Sequence, residues 1–205
     1  FNADWTYQFD KDLTRDASFT LSDGSQTTVP MMALAEEIPV RVYRGDEQTV
    51  VDLFYGGQAY SMTIVVPDDP AAIDDLAENL TESQWNSWVL GLDSTETFVT
   101  MPKFTLEYEI ELNDVLKALG MEIAFTGAAD FSDMVDGGGA YIEKVRHKTF
   151  VDVHEEGTEA AAVTSVEMRF TGMPSTVHVD RPFVFAIREN YSGSILFIGK
   201  ILDPS

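Results

Sequence analysis

Alternating apolar and polar residues dominate the first third of the chain, with the two-residue period of β-strands. Two such runs flank a Ser-Asp-Gly turn signal within residues 18–32. Three more runs follow over residues 38–44, 49–56 and 59–69, and Gly-Asp and Gly-Gly pairs separate them. Short alternating runs divided by glycine and aspartate predict a meander of antiparallel strands.

Helical spacing replaces the alternation after the meander. The first predicted helix begins at Pro70, whose fixed φ suits a first helical turn, and its apolar residues recur on one face. The second follows Thr81 as its N-cap and carries its tryptophans on one face. A third short helix is predicted from an Asn113 cap to a closing Gly120.

Strand patterns return in the second half of the chain. Residues 97–112 and 140–153 each read as one long strand, and residues 181–190 and 194–202 as a hairpin. Residues 127–139 read as a loop, and its three glycines lack the Lys-Ser/Thr of a phosphate-binding loop. With no repeat or linker, the fold class predicted is α+β, rich in β-strands, in one domain over residues 1–205.

The composition argues against several classes of function. The chain has 35 Asp and Glu against 13 Lys and Arg, a net charge of −22. That charge opposes binding to nucleic acid or to anionic membranes, which both need cationic contacts. We interpret it as a source of solubility or as adaptation to salt. There is no cysteine for disulfide or thiol chemistry, and no apolar run approaches a membrane span.

The residues that most often carry catalysis form no recognisable constellation. His147, His154 and His178 are not spaced as metal ligands, and no nucleophile elbow occurs. No acid–base pair stands out among the many carboxylates. The sequence therefore predicts no enzyme activity, no metal site and no cofactor.

Residues 157–171 fit neither a core strand nor an ordinary loop. Sorted by the period of a strand, all their charges fall on one face. The alanines also suit a short helix capped by Thr158, but the alternation of charge favours a loop able to become a half-buried strand. Gly157 and the Gly-Met-Pro-Ser run after residue 171 indicate loop chemistry at both ends. The uncharged face consists of Thr158, Ala160, Ala162, Thr164, Val166, Met168 and Phe170.

The stretch EEGTEAAAVTS, residues 155–165, resembles the hinge of the reactive-centre loop of serpins, the serine protease inhibitor family. The stretches FNADW, VPMM, MPKFTLEYEIELNDVLKALGM, RPFVFAIREN and ILFIGKILDP are similar to that family in the same order. The resemblance covers essentially the whole chain. It implies the C-terminal portion of one serpin domain, with a reactive-centre loop at about residues 157–175.

The family's N-terminal helices and first sheet strands have no counterpart in this sequence. Phe1 begins in what reads as the end of a strand, so we expect the N-terminal half of the same protein as a partner. A signal peptide is therefore not observable. The resemblance implies a secreted, periplasmic or extracellular protein, and a prokaryotic source is expected.

The resemblance also implies a mechanism. A protease of the serine class, or alternatively of the cysteine class, attacks the loop and forms an acyl-enzyme. The cut loop then inserts into the central sheet as a new strand, so the inhibitor is a metastable suicide substrate whose target is trapped. The alternative is a non-inhibitory serpin that acts as a binding, carrier or chaperone-like protein.

Family spacing places the reactive bond between Thr171 and Gly172. The cleavage residue lies fourteen positions after the hinge Gly157 and eleven before Pro182, and both counts reach Thr171. Threonine there suits an elastase-like or broad-specificity protease. The alternatives are Phe170, for a chymotrypsin-like or subtilisin-like protease, and Arg169, for a trypsin-like one.

The hinge expected from the resemblance has small side chains where insertion begins, which favours an inhibitory member. Trp5 and His147 are expected to be structural, with the tryptophan where the loop enters the sheet and the histidine in the region that opens. The predicted hinge residues are Glu155, Gly157, Thr158, Glu159, Ala160, Ala161, Ala162 and Thr164.

Overall fold

A computed structural model describes residues 3–135, 139–158 and 175–205. The α-helices of these residues are α1 (Ile73–Asn79), α2 (Glu82–Leu90) and α3 (Asn113–Leu116). Their strands are β1 (Ala3–Asp4), β2 (Arg15–Thr20), β3 (Gln26–Ala33), β4 (Ile38–Arg44), β5 (Gln48–Tyr55), β6 (Tyr60–Pro67), β7 (Asp93–Pro102), β8 (Phe104–Glu111), β9 (Arg146–Val153), β10 (Gly157–Thr158), β11 (Thr176–His178), β12 (Phe183–Glu189) and β13 (Ile195–Ile201).

The main element is a nine-stranded sheet in the order β13-β12-β6-β5-β4-β7-β3-β2, with β11 paired to β7. Its neighbours are antiparallel, except that β11 runs parallel to β7. The meander predicted over the first third is present for β4 to β6, whereas β2 and β3 form a separate hairpin because β7 lies between β3 and β4. The hairpin of β12 and β13 is confirmed. The β-rich α+β class is confirmed as well.

Helices α1 and α2 cover one face of the sheet. Trp85 and Trp88 of α2 and Ile73 of α1 are buried against side chains of β5, β6 and β12. Thr81 caps α2 through its side chain, as predicted, and the side chain of Asp69 caps the helical turn that begins at Pro70. On another part of β12, Phe183 and Phe185 pack on Phe104 with ring centroids 5.8 and 5.7 Å apart.

A buried ionic network crosses four strands of this sheet. The side chain of Asp52 on β5 is fully buried and its Oδ2 lies 3.0 Å from the guanidinium of Arg188 on β12. Thr63 on β6 links the two, since its hydroxyl donates to Asp52 at 2.5 Å and accepts from Arg188 Nε at 2.8 Å. Arg41 on β4 approaches the same carboxylate at 3.2 Å from a more exposed position. Every charge in the network therefore has a partner of opposite sign.

Residues Thr105–Asp152 form a compact unit of their own, distinct from the remainder of the chain. In this unit β8 pairs with β9, and lysine and arginine side chains of the second strand face glutamates of the first. The Arg146–Glu109 and Lys148–Glu107 ion pairs have side chains that are 48 to 65% exposed, so each pair adds little to stability. The prediction of a single domain stays a prediction.

Two strand predictions were too long. Residues 97–112 divide at Lys103, because β7 pairs within the nine-stranded sheet and β8 pairs with β9. The strand predicted over residues 140–153 begins at Arg146, since preceding backbone groups bond to residues outside strands: Ile142 N–H donates to Ala124. Periodicity identifies strand-forming residues but does not show where a strand changes its partner.

The cap predicted at Asn113 was wrong. Asn113 is the first residue of α3, and its side chain does not cap that helix. It donates to the carbonyl of Glu143 at 2.9 Å and accepts from the N–H of Val145 at 2.8 Å. The amide therefore satisfies a neighbouring segment within the Thr105–Asp152 unit. In the part of the chain that the structure describes, no helix is long and apolar enough to cross a bilayer.

Candidate functional site

The chain reverses direction where the predicted loop begins. We call residues 154–158 the hinge turn. His154 and Gly157 exchange backbone hydrogen bonds of 3.3 and 3.2 Å, which closes the turn after β9. Gly157 and Thr158 then form β10, which runs antiparallel to β1 with Thr158 opposite Ala3. The first two residues of the predicted loop are thus already part of a sheet.

An early segment of the chain holds the hinge turn through its carbonyl groups. Trp5 donates twice, from its backbone N–H to Glu156 at 3.0 Å and from its indole Nε1 to the carbonyl of His154 at 2.9 Å. The N–H of Phe9 donates to the carbonyl of Glu155 at 2.9 Å. Three consecutive carbonyls of the turn are therefore satisfied by residues about 150 positions earlier, which fixes its backbone.

Trp5 is itself held by aromatic packing. It is 4% exposed and stacks on Tyr55 with ring centroids 4.3 Å apart, while Phe9 meets it edge-on at 6.1 Å. A ring fixed in this way keeps its Nε1 aimed at the hinge turn. The position agrees with the expectation that Trp5 lies where the loop enters the sheet; its structural role stays a prediction.

Gly157 occupies a position that no other residue fits. Its φ is +129°, a region essentially reserved for glycine. A Cβ there would lie 2.5 Å from the carbonyl oxygen of Ala3 and 2.6 Å from the backbone nitrogen of Trp5. Both obstacles are main-chain atoms of the paired strand, so they cannot move aside as a side chain would. Close pairing of β10 with β1 depends on this glycine.

Glu155 is a buried carboxylate at the start of the turn. Glu155 is only 4% exposed. Its Oε1 accepts a hydrogen bond from the Thr14 hydroxyl at 2.8 Å, and its Oε2 lies 3.0 Å from Nζ of Lys103. Burial alone would raise the pKa of Glu155. The backbone hydrogen bond, the Thr14 hydroxyl and the Lys103 ammonium together outweigh burial and lower that pKa below its ordinary value. The folded state therefore favours the ionised form.

The side chain of the neighbouring Glu156 lies in a more solvent-exposed environment. Its Oε1 lies 2.6 Å from Nζ of Lys11, whose side chain is 61% exposed. The hydrogen bond to Glu156 raises the pKa of Lys11. His154 Nδ1 lies 3.9 Å from the other oxygen of Glu156. Two adjacent glutamates thus anchor the hinge turn, one through a buried contact and the other through a solvated one.

Replacing Glu155 with glutamine should reduce stability at pH 7 by about 1–2 kcal/mol, because charge-assisted hydrogen bonds are lost. A carboxylate with a lowered pKa stabilises the fold above its unfolded pKa, near its ordinary value of 4.5, and loses that effect as pH falls through the folded pKa. The deficit of the variant should therefore shrink below about pH 4.5. Urea unfolding at several pH values measures it.

Glu156→Gln is the matched control, because it removes a neighbouring carboxylate that pairs with the exposed Lys11. Its cost at pH 7 should stay well below about 1 kcal/mol, as for other exposed ion pairs. Equal losses in the two variants, or a Glu155→Gln deficit that is the same at pH 3 and pH 7, would contradict the assignment.

The other predicted site residues are distributed as follows. His147 lies on β9 with an exposed side chain whose Nε2 is 2.9 Å from the Thr149 hydroxyl. His178 lies on β11. Within the described ranges, no cluster of three or more His, Asp or Glu could hold a metal ion. Outside the described residues lie Glu159, Ala160, Ala161, Ala162, Thr164, Arg169, Phe170, Thr171 and Gly172.

Sequence reasoning missed the supports of the hinge turn. Thr14, Lys103 and Phe9 contact Glu155 from distant parts of the chain. No local pattern marks these residues, since threonine and lysine are common on any surface and phenylalanine is common in any core. The one available signal was Glu155 itself, a charged residue adjacent to a buried strand end.

A family model described as Serpin (serine protease inhibitor) matches residues 1–204. The chain belongs to the serpin family. Among curated relatives, a "Serine protease inhibitor" of Cyanea capillata is 32% identical over 208 residues, covering 100% of this chain and 55% of the relative. A "Leukocyte elastase inhibitor" of Sus scrofa is 35% identical over 212 residues, covering 100% and 56%.

Solved serpin structures share the fold. Human thyroxine-binding globulin complexed with thyroxine superposes with a TM-score of 0.87 at 27% identity, over 100% of this chain and 54% of that one. Tengpin, a thermophilic serpin solved in its native state, gives a TM-score of 0.81 at 33% identity, over 99% and 53%. The expected serpin fold is therefore confirmed.

The serpin chain spans about half the length of the curated relatives it matches. The expectation of a prokaryotic source is not supported, because those relatives come from a jellyfish and a pig. The positions of the reactive bond and of the hinge beyond Thr158 stay predictions.

Proposed function

We propose that this serpin inhibits a serine protease as a suicide substrate. The protease attacks the loop after Thr171 and forms an acyl-enzyme. The cleaved loop then inserts into a sheet and traps the enzyme before deacylation. Membership of the serpin family and likeness to curated protease inhibitors support the proposal.

The observation that carries the proposal is the pairing of β10 with β1. Gly157 and Thr158 already run antiparallel to β1, in register with Asp4 and Ala3. In the proposed mechanism, insertion of the cleaved loop extends this pairing by adding backbone hydrogen bonds. Intact connections at both ends of the loop oppose that extension, and cleavage removes one of them.

The sequence beyond Thr158 suits such an extension. Alternate residues continue with alanine, alanine and threonine, which a sheet interior can accept without clash or unpaired charge. An inserting strand buries this face while the charged residues of the other face stay in water. The gain is a ladder of backbone hydrogen bonds together with burial of apolar surface.

Substituting arginine for Thr158 should convert the inhibitor into a substrate. Burying an unpaired guanidinium costs several kcal/mol, which slows insertion relative to hydrolysis of the acyl-enzyme. The number of inhibitor molecules consumed per protease trapped should rise at least about tenfold, since each 1.4 kcal/mol is a factor of ten. Titration against pancreatic elastase, chymotrypsin and subtilisin, with gel analysis of complexes that survive boiling in detergent, measures this.

Glu159→Arg is the matched control, because the alternation places that residue on the charged face of the strand. It adds an arginine at the next residue in the chain. The number of inhibitor molecules consumed per protease trapped should stay within about twofold of the natural value, as for a solvated surface charge. If Thr158→Arg consumed no more molecules per protease trapped than the natural protein does, the insertion mechanism would be refuted. Mass analysis of the released loop fragments separates cleavage after Thr171 from cleavage after Phe170 or Arg169.

A second candidate function is non-inhibitory binding or carriage. Its support is the likeness to thyroxine-binding globulin, which is solved in complex with thyroxine. A non-inhibitory serpin would be cut by the same proteases without forming a detergent-stable complex. The experiment above therefore distinguishes the two functions in the natural protein, before any variant is made.

Two classes of partner belong to the proposal. The first is a serine protease of elastase-like, chymotrypsin-like or subtilisin-like specificity. The second is the N-terminal half of the same protein, supported by apolar side chains that are exposed here: Ile195, Leu196 and Ile198 of β13 are 43, 48 and 59% exposed. A row of exposed apolar residues on a strand is expected to be covered by further chain. Action outside the cytoplasm stays a prediction.

A further inference from the structure

A cleft of about 440 Å³ lies on the face of the sheet formed by β2, β3, β7 and β11. We call it the sheet cleft; Arg15, Met31, Ala33, Phe98, Thr100 and His178 are among its lining residues. Its volume lies within the range of small-molecule sites.

The sheet cleft exists because its middle positions carry small side chains. Ala33 and Thr100 are directly opposite each other on β3 and β7. Longer side chains, Met31 and Phe98, precede each of them by two residues and therefore project from the same face. A short pair flanked by long apolar side chains leaves a hollow with an apolar floor.

Polar groups stand at two sides of this floor. His178 on β11 is opposite Thr100, and its Nδ1 lies 2.9 Å from the Thr100 hydroxyl, which leaves the Nε2 edge of the ring for another group. Arg15 lies on β2 opposite Met31. Three strand spacings separate β11 from β2, or roughly 14 Å at about 4.8 Å each. The cleft is thus elongated, with a hydrogen-bonding group on one side and a cation on the other.

Arg15 stands apart from most other bases of this acidic chain. Among the lysines and arginines that the structure describes, Arg15 and Arg44 are those without a carboxylate oxygen within 4.0 Å. Arg44 donates instead to Ser175 and Thr176, whereas Arg15 donates to the carbonyl of Leu13 through Nε alone. Its two terminal nitrogens remain able to bind a carboxylate as a fork.

The carboxylate that also lines the sheet cleft does not neutralise this cation. Asp180 accepts from Nε of Arg181 at 2.9 Å, so its charge is already paired. The charged group of the cleft left to a ligand is therefore the guanidinium of Arg15.

We propose that the sheet cleft binds a small elongated molecule with an apolar body and a terminal carboxylate. The carboxylate pairs with Arg15, the body lies over Ala33 between Met31 and Phe98, and the far end reaches His178. Charge complementarity decides the class of ligand, because an apolar floor alone would accept neutral molecules equally well. This binding is independent of protease inhibition and uses no residue of the hinge turn.

The test uses fluorescence of dansyl-undecanoic acid with the natural protein, and the methyl ester of the same probe as its uncharged analogue. The acid should bind saturably at one site and more tightly than the ester. Arg15→Gln should weaken binding of the acid by roughly tenfold to a hundredfold, the value of a hydrogen-bonded charge, and leave the ester unchanged. Ala33→Phe fills the hollow and should abolish binding of both probes.

Arg44→Gln is the matched control, since it removes the other arginine without a carboxylate partner from a position outside the sheet cleft. Melting curves by circular dichroism confirm that each variant is folded. Equal affinity of Arg15→Gln and Arg44→Gln for the acid would overturn the proposal, as would probe binding that survives Ala33→Phe. Sedimentation that shows a dimer disrupted by Ala33→Phe would overturn it too, by identifying a second copy as the occupant.

Discussion

Replacing Arg188 with methionine should lower the free energy of unfolding by about 3–5 kcal/mol, the cost of removing one partner from a buried ion pair. The affected charge is that of Asp52, whose side chain is fully buried and lies 3.0 Å from Arg188. In the variant Asp52 keeps only Arg41, which is 3.2 Å away and partly exposed. Methionine occupies much of the same apolar volume but donates no hydrogen bond to Asp52 or to Thr63. Urea unfolding of the natural protein and the variant, at neutral pH, measures the difference.

Two further variants separate the buried charge from the loss of volume. Arg41→Met removes the other arginine on the same carboxylate; its side chain is 28% exposed, so a loss of about 1 kcal/mol is expected. Adding Asp52→Asn to Arg188→Met removes the buried charge that Arg41 compensates only from a partly exposed position, and should recover part of the loss. Similar stability of the two arginine variants would show that burial of the network does not set its strength.

Changing Gly157 to alanine should destabilise the protein by about 3 kcal/mol or more, the sum of backbone strain and overpacking. The added Cβ would meet backbone atoms of Ala3, Asp4 and Trp5 within 2.6 Å. Since these atoms belong to β1 and to the residue after it, relief requires β10 to separate from β1. Thermal melting by circular dichroism measures the loss, and proteolysis near the hinge turn should become faster.

Gly193→Ala is the control for backbone strain alone. Gly193 also has a positive φ, +74°, but a Cβ there would meet nothing within 4 Å. Only the left-handed backbone should cost energy at this position, about 1–2 kcal/mol. If Gly157→Ala were as stable as Gly193→Ala, β1 would move away from the added Cβ at little cost. The pairing of β10 with β1 would then not be rigid.

The sequence predicted the sheet well where each strand keeps one set of neighbours. The β12–β13 hairpin was readable because residues 181–190 and 194–202 alternate on either side of a Tyr-Ser-Gly turn. The strand boundary at Lys103 could not be predicted from the sequence. The apolar pattern continues without a break from β7 into β8, although the two strands pair with different partners. Pairing is a long-range property, and periodicity is a local one.

The hinge was predictable and its anchors were not. Gly157 and the small residues after it form a continuous motif, so a local signal existed. Lys103 and Thr14 reach Glu155 only through the folded chain. The same holds for Asp52 and Arg188, which are 136 residues apart in sequence. Nothing in either neighbourhood distinguishes these charges from the many solvated ones.

The pairing of nearly all described bases has a consequence for the medium in which the protein is stable. Because most lysines and arginines already face a carboxylate, they leave little positive charge to offset the remaining acidic side chains of a chain with net charge −22. The repulsion among the remaining acidic side chains is therefore reduced mainly by dissolved counter-ions. The screening length shrinks from about 30 Å at 0.01 M to about 10 Å at 0.1 M salt. Dissolved cations thus act as a diffuse component of the fold, and ionic strength becomes one of the variables that determine how compact the molecule remains.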